Sequence, residues 1–94
     1  MDWVAKAARK TGRPSVASMS LGGNYLAAAN AAAAKLVSSG VTTVVAACNY
    51  RDNVANYSPA STPSVITAGA STIADAKDYY SNYGAGLDIW APGT

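Results

Sequence analysis

The nine residues 41–49, with the sequence VTTVVAACN, constrain the fold more than any other part of the chain. Five β-branched residues open this run, and before it stands Gly40, in a position that favours a left-handed helix cap. A short apolar run between turn residues is typical of a strand buried on both faces, the kind found in parallel sheets under helices. In such sheets, ligands lie outside the carboxyl ends of the strands. Asn49 stands at that end, and its amide is a candidate hydrogen-bond donor to a substrate.

The segments before this strand predict a parallel sheet. Residues 1–10 have the pattern of an amphipathic helix capped by Asp2, and residues 15–21 predict a strand of small and apolar residues. A second helix is expected over residues 24–39, with Asn24 as its cap. Strand, helix and strand over this length form a βαβ unit, whose right-handed crossover makes the two strands parallel.

Two further apolar runs extend the predicted sheet. Residues 64–70 predict another buried strand, and residues 87–91 predict a short strand that runs into Pro92. The expected architecture is an α/β fold with about three to four parallel strands and two helices. The strands at 15–21, 41–47 and 64–70 are expected to run parallel to one another.

Composition limits the size and the partners of the chain. Its 94 residues suffice for one small domain, and the apolar half of them is rich in alanine and lacks phenylalanine. Such a core buries little apolar surface per residue, so we expect the chain to be part of something larger. The formal net charge of +2 argues against a nucleic-acid partner. No apolar run of about 18 residues predicts a membrane span, so no membrane partner is expected.

Six consecutive blocks of the sequence together resemble one enzyme family. They are SMSLGG (18–23), VAACN (45–49), NYSPAS (56–61), VITAGA (65–70), SNYG (81–84) and DIWAPGT (88–94). In this order and spacing they are similar to blocks of subtilisin-like serine endopeptidases, above all to the proteinase K branch of secreted fungal enzymes. The resemblance implies that residues 1–94 are the central part of a three-layer, parallel-sheet subtilisin-like peptidase domain, truncated at both ends. It also implies secretion, with the remainder of the domain as partner.

The same resemblance assigns roles near the carboxyl end of the sheet. It implies that Asn49 donates its side-chain amide to the oxyanion of a tetrahedral intermediate. One wall of the primary specificity pocket, whose backbone pairs with an extended substrate, is expected at Ser20, Leu21 and Gly22. The opposite wall and floor are expected at Ala46, Ala47 and Cys48. The implied substrate is a peptide or a protein.

A structural calcium site is also implied by the resemblance. It would combine the main-chain carbonyls of Pro63 and Val65 with the carboxylate of Asp88, and such oxygen ligands suit a hard cation. A full site needs about six to eight oxygens, so waters would supply the rest. In an alternative interpretation, Asp88 is an ordinary acidic residue at the start of a strand, and its carboxylate forms local hydrogen bonds.

Two departures from the family bear on activity. The family has glycine where this chain has Cys48, and a side chain there is expected to narrow the specificity pocket or to shift the end of the strand. The mechanism needs a serine nucleophile, a histidine base and an aspartate that orients it, and the 94 residues contain no histidine. In the family, the aspartate and histidine blocks precede the matched region and the serine block follows it. The chain alone is therefore expected not to hydrolyse peptides.

Simpler interpretations and two other function classes are compatible with the same residues. Asn49 is also explained as a turn residue, and Cys48 as a small buried side chain. A non-catalytic module of the same fold would bind peptides along residues 20–22 or serve as an interaction surface. A nucleotide-binding α/β domain is the weakest alternative. It would use the amides of Gly22 and its neighbours at a strand-to-helix junction, but the spaced glycine pattern and a P-loop lysine are missing.

Overall fold

A computed structural model describes all of residues 1–94. These residues form two α-helices and six strands. In chain order the elements are α1 (Asp2–Thr11), β1 (Val16–Met19), β2 (Gly23–Asn24), α2 (Ala27–Ser38), β3 (Thr42–Ala46), a 3₁₀ turn (Val54–Asn56), β4 (Tyr57–Ser58), β5 (Ile66–Ser71) and β6 (Ile89–Pro92). Neither helix has the length and the apolar character needed to cross a membrane.

The main sheet contains four strands in the order β1-β3-β5-β6, and every neighbouring pair is parallel. Met19 at the end of β1 lies opposite Val45 of β3, so these two strands finish side by side. The short strands β2 and β4 form a separate antiparallel pair. The expected α/β fold, with a parallel sheet and two helices, is confirmed, and β6 is its fourth parallel strand.

Both helices contribute to the buried side of the sheet. Leu36 of α2 is buried together with Ala5 of α1 and Val41, which directly precedes β3. A second cluster joins the fully buried Ala33 of α2 to Val45 of β3. Because alanine has a small side chain, α2 lies close to the strands it covers. Burial of Leu36 and of Val45 each contributes about 1.5–3 kcal/mol to folding.

The opposite face of the sheet carries small, partly exposed side chains. Val44 and Ala46 of β3, with Ala68 and Ala70 of β5, alternate with the buried residues of the same strands. These four residues line a cavity of about 380 Å³ that reaches the carboxyl ends of the strands. The residues that follow β1 and β3 therefore share one edge of the sheet with this cavity.

The start of the second helix differs from the sequence-based expectation. Asn24 is not a helix cap, because it lies in β2 opposite Tyr57 of β4. The helix starts at Ala27, with Leu26 as its N-cap residue. The Ser58 hydroxyl accepts a hydrogen bond from the Leu26 N–H at 2.9 Å, across a sequence separation of 32 residues. These contacts with β4 outweigh the local capping preference of asparagine.

Other element ends differ by a few residues. Asp2 is the first residue of α1 and Met1 takes the cap position, so the predicted Asp2 cap is wrong. Residues 20 and 21, expected as the end of the first strand, leave the sheet after Met19 and lead into β2. Gly40 has a φ of +99°, which confirms the left-handed conformation expected after the second helix.

The glycines named in the nucleotide-binding alternative do not lie at a helix start. Gly23 belongs to β2, and α2 begins only at Ala27. The amides of Gly22 and Gly23 are therefore not at the amino end of the helix, where a phosphate would gain from the helix dipole.

Candidate functional site

A cleft of about 320 Å³ opens at the carboxyl ends of β1 and β3. The residues that line it are Ser20, Leu21, Gly22, Ala46, Cys48, Asn49 and Tyr50. The structure thus brings together every residue predicted for substrate binding and for the oxyanion role except Ala47. It adds Tyr50 to the set.

Asn49 lies at this cleft, in the loop formed by residues 47–52, called the β3 loop below. Its side chain is exposed and forms no hydrogen bond within the chain. A donor that is already bonded to protein would have to give up its partner before it could bind a ligand. The Asn49 amide has no such partner, which suits a hydrogen-bond donor to a substrate.

The opposite side of the cleft is a stretch of free backbone. The N–H and C=O groups of Ser20, Leu21 and Gly22 form no hydrogen bonds within the chain, and all three residues are exposed. An extended segment with unpaired backbone groups is a template on which another extended chain can pair. This wall of the cleft is therefore suited to a peptide in an extended conformation.

Cys48, in the β3 loop, lines the cleft and reaches across it to Gly22. Its φ is +74°, in the left-handed region that glycine adopts at no steric cost and other residues adopt rarely. A Cβ atom on Gly22 would overlap the Cys48 Sγ atom, so the thiol packs directly on the Gly22 backbone. Burial raises the pKa of the Cys48 thiol, which keeps it neutral near pH 7.

Ala47 faces the core rather than the cleft. It is 1% exposed and packs against Val54, Tyr57 and Ala60. Successive side chains of an extended segment point to opposite sides, which explains why Ala46 lines the cleft and Ala47 does not. The Ala47 carbonyl accepts a hydrogen bond from another part of the chain.

Asn82 donates that hydrogen bond and holds the β3 loop in place. Its Nδ2 atom donates to the Ala47 carbonyl at 2.8 Å. Its Oδ1 atom accepts from the N–H of Tyr50 at 2.8 Å and from the N–H of Asp52 at 3.0 Å. The Asn82 backbone N–H donates to the Cys48 carbonyl at 2.9 Å. Asn82 is fully buried, so its side-chain amide needs these partners.

Asp52 fixes the far end of the β3 loop. Its carboxylate accepts hydrogen bonds from the Asn53 N–H at 2.7 Å, from the Asn56 side chain and from the Tyr57 hydroxyl at 3.1 Å. The Asn53 bond, followed by the Asn56 bond, lowers the pKa of the Asp52 carboxyl. Burial, followed by the bond to Asp52, raises the pKa of Tyr57. The Tyr57 ring stacks on Tyr50 at 5.1 Å between centroids and connects the core to the cleft.

The three residues predicted for calcium lie near the starts of β5 and β6. Asp88 accepts a hydrogen bond from the Thr67 N–H through Oδ2 at 2.8 Å, which leaves Oδ1 unpartnered. The carbonyl oxygens of Pro63 and Val65 accept no hydrogen bond within the chain. No group of three or more His, Cys, Asp or Glu side chains is placed to hold a metal ion. A cation at Asp88 would therefore rely on main-chain oxygens, which are ligands that calcium accepts.

Comparison with known proteins identifies the family. Residues 1–94 match the Subtilase family over their whole length. The chain belongs to the subtilase family. It is 54% identical to alkaline serine protease ver112 of Corniculantispora psalliotae and 50% identical to proteinase R of Parengyodontium album. Each of these alignments covers 100% of this subtilase chain and 25% of the relative. The chain thus spans about a quarter of the length of the curated relatives it matches.

The subtilase assignment extends to the three-dimensional structure. The crystal structure of a cold-adapted subtilisin-like serine proteinase matches this chain with a TM-score of 0.94 and 42% sequence identity. The match covers 99% of the subtilase chain and 33% of that protein. The α/β architecture described above is therefore the subtilisin fold, as the resemblance implied.

Two buried polar residues that connect distant segments of the subtilase chain were not identified from the sequence. Asn82 and Ser58 both lie within blocks that carried the resemblance, yet no role was assigned to either. Their residue types are common in exposed loops, and nothing in the sequence marks these two as buried. Their places inside the SNYG and NYSPAS blocks were the one available signal.

Proposed function

We propose that the protein is a secreted serine endopeptidase of the proteinase K type and that residues 1–94 form the central part of its peptidase domain. In this proposal the chain supplies the oxyanion donor and one side of the substrate cleft. The unpartnered amide of Asn49, at a cleft bordered by free backbone, is the observation that carries the proposal. The family membership of the chain supports it.

Substrate binding uses the free backbone of residues 20–22. An extended peptide adds itself as a strand along this segment, and its main-chain groups satisfy the N–H and C=O groups that have no partner within the chain. The substrate side chain next to the cut bond enters the cleft between this segment and Ala46. Cys48 limits the room available to that side chain, because its Sγ atom already packs on Gly22.

Catalysis uses the Asn49 amide when the substrate carbonyl becomes tetrahedral. Attack by a nucleophile turns the carbonyl oxygen into an oxyanion, and the Asn49 Nδ2–H donates a hydrogen bond to it. Such a donor stabilises the transition state more than the ground state, because negative charge is present only after attack. Loss of one donor of this kind typically lowers turnover by about 10²- to 10³-fold.

The remaining parts of the mechanism lie outside these residues. The 94 residues contain no histidine, so they hold no imidazole base. In this proposal the remainder of the peptidase domain is the partner that supplies the nucleophile and the base. We therefore expect the isolated chain not to hydrolyse peptides.

A calcium ion is proposed as a structural ligand of the same domain. The unpartnered Oδ1 atom of Asp88 and the free carbonyl oxygens of Pro63 and Val65 support this proposal. The ion would tie the start of β6 to the segment before β5 and take no part in the hydrolysis.

A chimera tests the proposed function. In this protein, residues 1–94 replace the matching segment of the ver112 protease, so that all remaining parts of a peptidase are present. We expect the chimera to cleave a peptide amide. Asn49→Ala should lower kcat by about 10²- to 10³-fold and leave KM nearly unchanged. Asn24→Ala is the matched control, since Asn24 is also exposed and forms no side-chain hydrogen bond.

Three outcomes of this experiment count against the proposal. A folded chimera that binds peptide without cleaving it would favour the non-catalytic alternative. An Asn49→Ala variant with a raised KM and an unchanged kcat would make Asn49 a binding or turn residue. Turnover by the purified isolated chain, or labelling of one of its serines by a serine-directed covalent probe, would contradict the proposal that the remainder of the domain supplies the nucleophile and the base.

A further inference from the structure

We propose that Asn82 is a positioning residue, whose buried amide fixes the β3 loop so that the Asn49 amide meets the reacting carbonyl. This inference rests on the oxyanion role proposed for Asn49. Asn82 does not itself line the cleft, although it bonds to the backbone of Cys48 and Tyr50, which do. Its effect on the reaction must therefore pass through the loop.

The hydrogen bonds of Asn82 reach the β3 loop on both sides of Asn49. Nδ2 binds the carbonyl of Ala47, two positions before Asn49, and the Asn82 backbone N–H binds the carbonyl of Cys48. Oδ1 binds the N–H of Tyr50, directly after Asn49. Asn49 is thus carried on a short backbone segment that one buried residue holds at both ends.

The β3 loop needs such an external constraint. Cys48 and Arg51, on either side of Asn49, have φ angles of +74° and +51°. Residues other than glycine adopt this left-handed region when their surroundings impose it. The Asn49 side chain has no hydrogen bond of its own within the chain. The direction of its amide therefore depends on the backbone, and the backbone depends on Asn82.

Asn82 is in turn connected to the sheet. The hydroxyl of the neighbouring Ser81 accepts a hydrogen bond from the Ala70 N–H of β5 at 3.0 Å and donates to the Asn82 carbonyl at 3.0 Å. The Asn82 contacts thereby place the β3 loop relative to a rigid strand. A site carried by rigid elements keeps its geometry, and a misplacement of about 1 Å can lower a rate by about 100-fold.

An amide is the group that this position requires. The Ala47 carbonyl needs a donor, while the Tyr50 and Asp52 N–H groups need an acceptor. A carboxylate in the same place keeps the acceptor but lacks the donor. Asn82→Asp therefore removes the hydrogen bond to the Ala47 carbonyl, whereas Asn82→Ala removes all three side-chain hydrogen bonds.

A double-mutant cycle in the ver112 chimera tests the positioning role. We expect Asn82→Ala to lower kcat by about 10- to 100-fold with KM changed less than about threefold. Asn82→Asp should give a smaller loss of the same kind. In the Asn49→Ala background, both substitutions should lower kcat by less than about threefold, because the donor they position is already absent. Affinity for a peptide aldehyde, which forms an oxyanion in the site, should fall in parallel with kcat.

Asn30→Ala is the matched control. The Asn30 amide also connects distant segments, through a 2.8 Å hydrogen bond to the Ser61 hydroxyl, but it does not contact the β3 loop. We expect this variant to keep its kcat even if its melting temperature falls. Equal melting-temperature losses for Asn30→Ala and Asn82→Asp, with a kcat loss in Asn82→Asp alone, would separate positioning from general stability.

The possible results distinguish the two proposals. If Asn49→Ala leaves kcat unchanged, the proposed function fails and the positioning role falls with it. If Asn49→Ala acts as expected but the Asn82 substitutions lower kcat equally in both backgrounds, or act only on KM, the positioning role alone is wrong. If Asn82→Ala does not fold, Asn82→Asp is judged by the same criteria. If neither variant folds, Asn82 is a structural residue and the inference is overturned.

Discussion

The helix-covered side of the sheet and the β3 loop are stabilised in different ways. Under the helices, Leu36 packs with Ala5 and Val41 in a buried cluster whose contacts are apolar. In the β3 loop, the contacts that matter are hydrogen bonds to a distant residue. Asn82 is 35 positions from Ala47 and 32 positions from Tyr50.

The difference lies in how strictly each interaction defines geometry. Apolar burial is non-directional and contributes in proportion to the area removed from water, so it stabilises a layer without fixing any one atom. A hydrogen bond contributes only about 0.5–1.5 kcal/mol net, but it sets a distance and an angle. The layer under the helices therefore provides stability, while the β3 loop provides the placement of Asn49.

Truncation under the helices should have the largest effect on stability. We expect Leu36→Ala to lower the free energy of unfolding by about 2–5 kcal/mol, because it leaves a cavity between the helices and β3. Denaturant unfolding of the chimera, inhibited by a serine-directed reagent to prevent self-cleavage, measures this change. Leu26→Ala is the control, since Leu26 is 59% exposed. Equal losses in the two variants would mean that the buried layer under the helices does not provide the stability assigned to it.

Calcium should have an intermediate effect on stability, exerted through the segments that lead into β5 and β6. At about 100 times its dissociation constant, the ion should stabilise the folded chimera by about 2.7 kcal/mol. Calorimetric titration should find that Asp88→Asn loses this binding heat, while Asp75→Asn, a change to an exposed loop acid, retains it. Identical heats from the parent chimera and Asp88→Asn would exclude Asp88 as a ligand.

Cys48→Gly should have the smallest effect on stability and a clear effect on specificity. Glycine removes the backbone strain that a φ of +74° imposes on cysteine, which stabilises the folded state. Glycine also loses more chain entropy on folding, so the two contributions to the free energy of unfolding nearly cancel. The cleft becomes larger, and preference should shift about tenfold towards bulkier side chains next to the cut bond. The ratio of kcat/KM values for two peptides that differ at this residue measures the shift. An unchanged ratio would mean that Cys48 does not shape the cleft.

The main elements of the fold could be predicted because their signals are local. The apolar run at 41–47 contains β3, the run at 64–70 covers β5 except its last residue, and Gly40 adopts the left-handed conformation expected of it. The second helix began later than expected because Asn24 pairs with β4. That error has a physical cause: a capping preference of about 1 kcal/mol is easily outweighed by pairing with a distant strand.

The sequence by itself determined the parallel α/β fold, the subtilase family and the group of residues at the carboxyl end of β3. Only the tertiary structure decided which residues line the cleft and which residue holds the β3 loop in place. It packed the Cys48 thiol on Gly22 and buried Asn82 against both ends of the β3 loop. These contacts join segments that are distant in the sequence, and side-chain patterns within a segment carry no information about such partners.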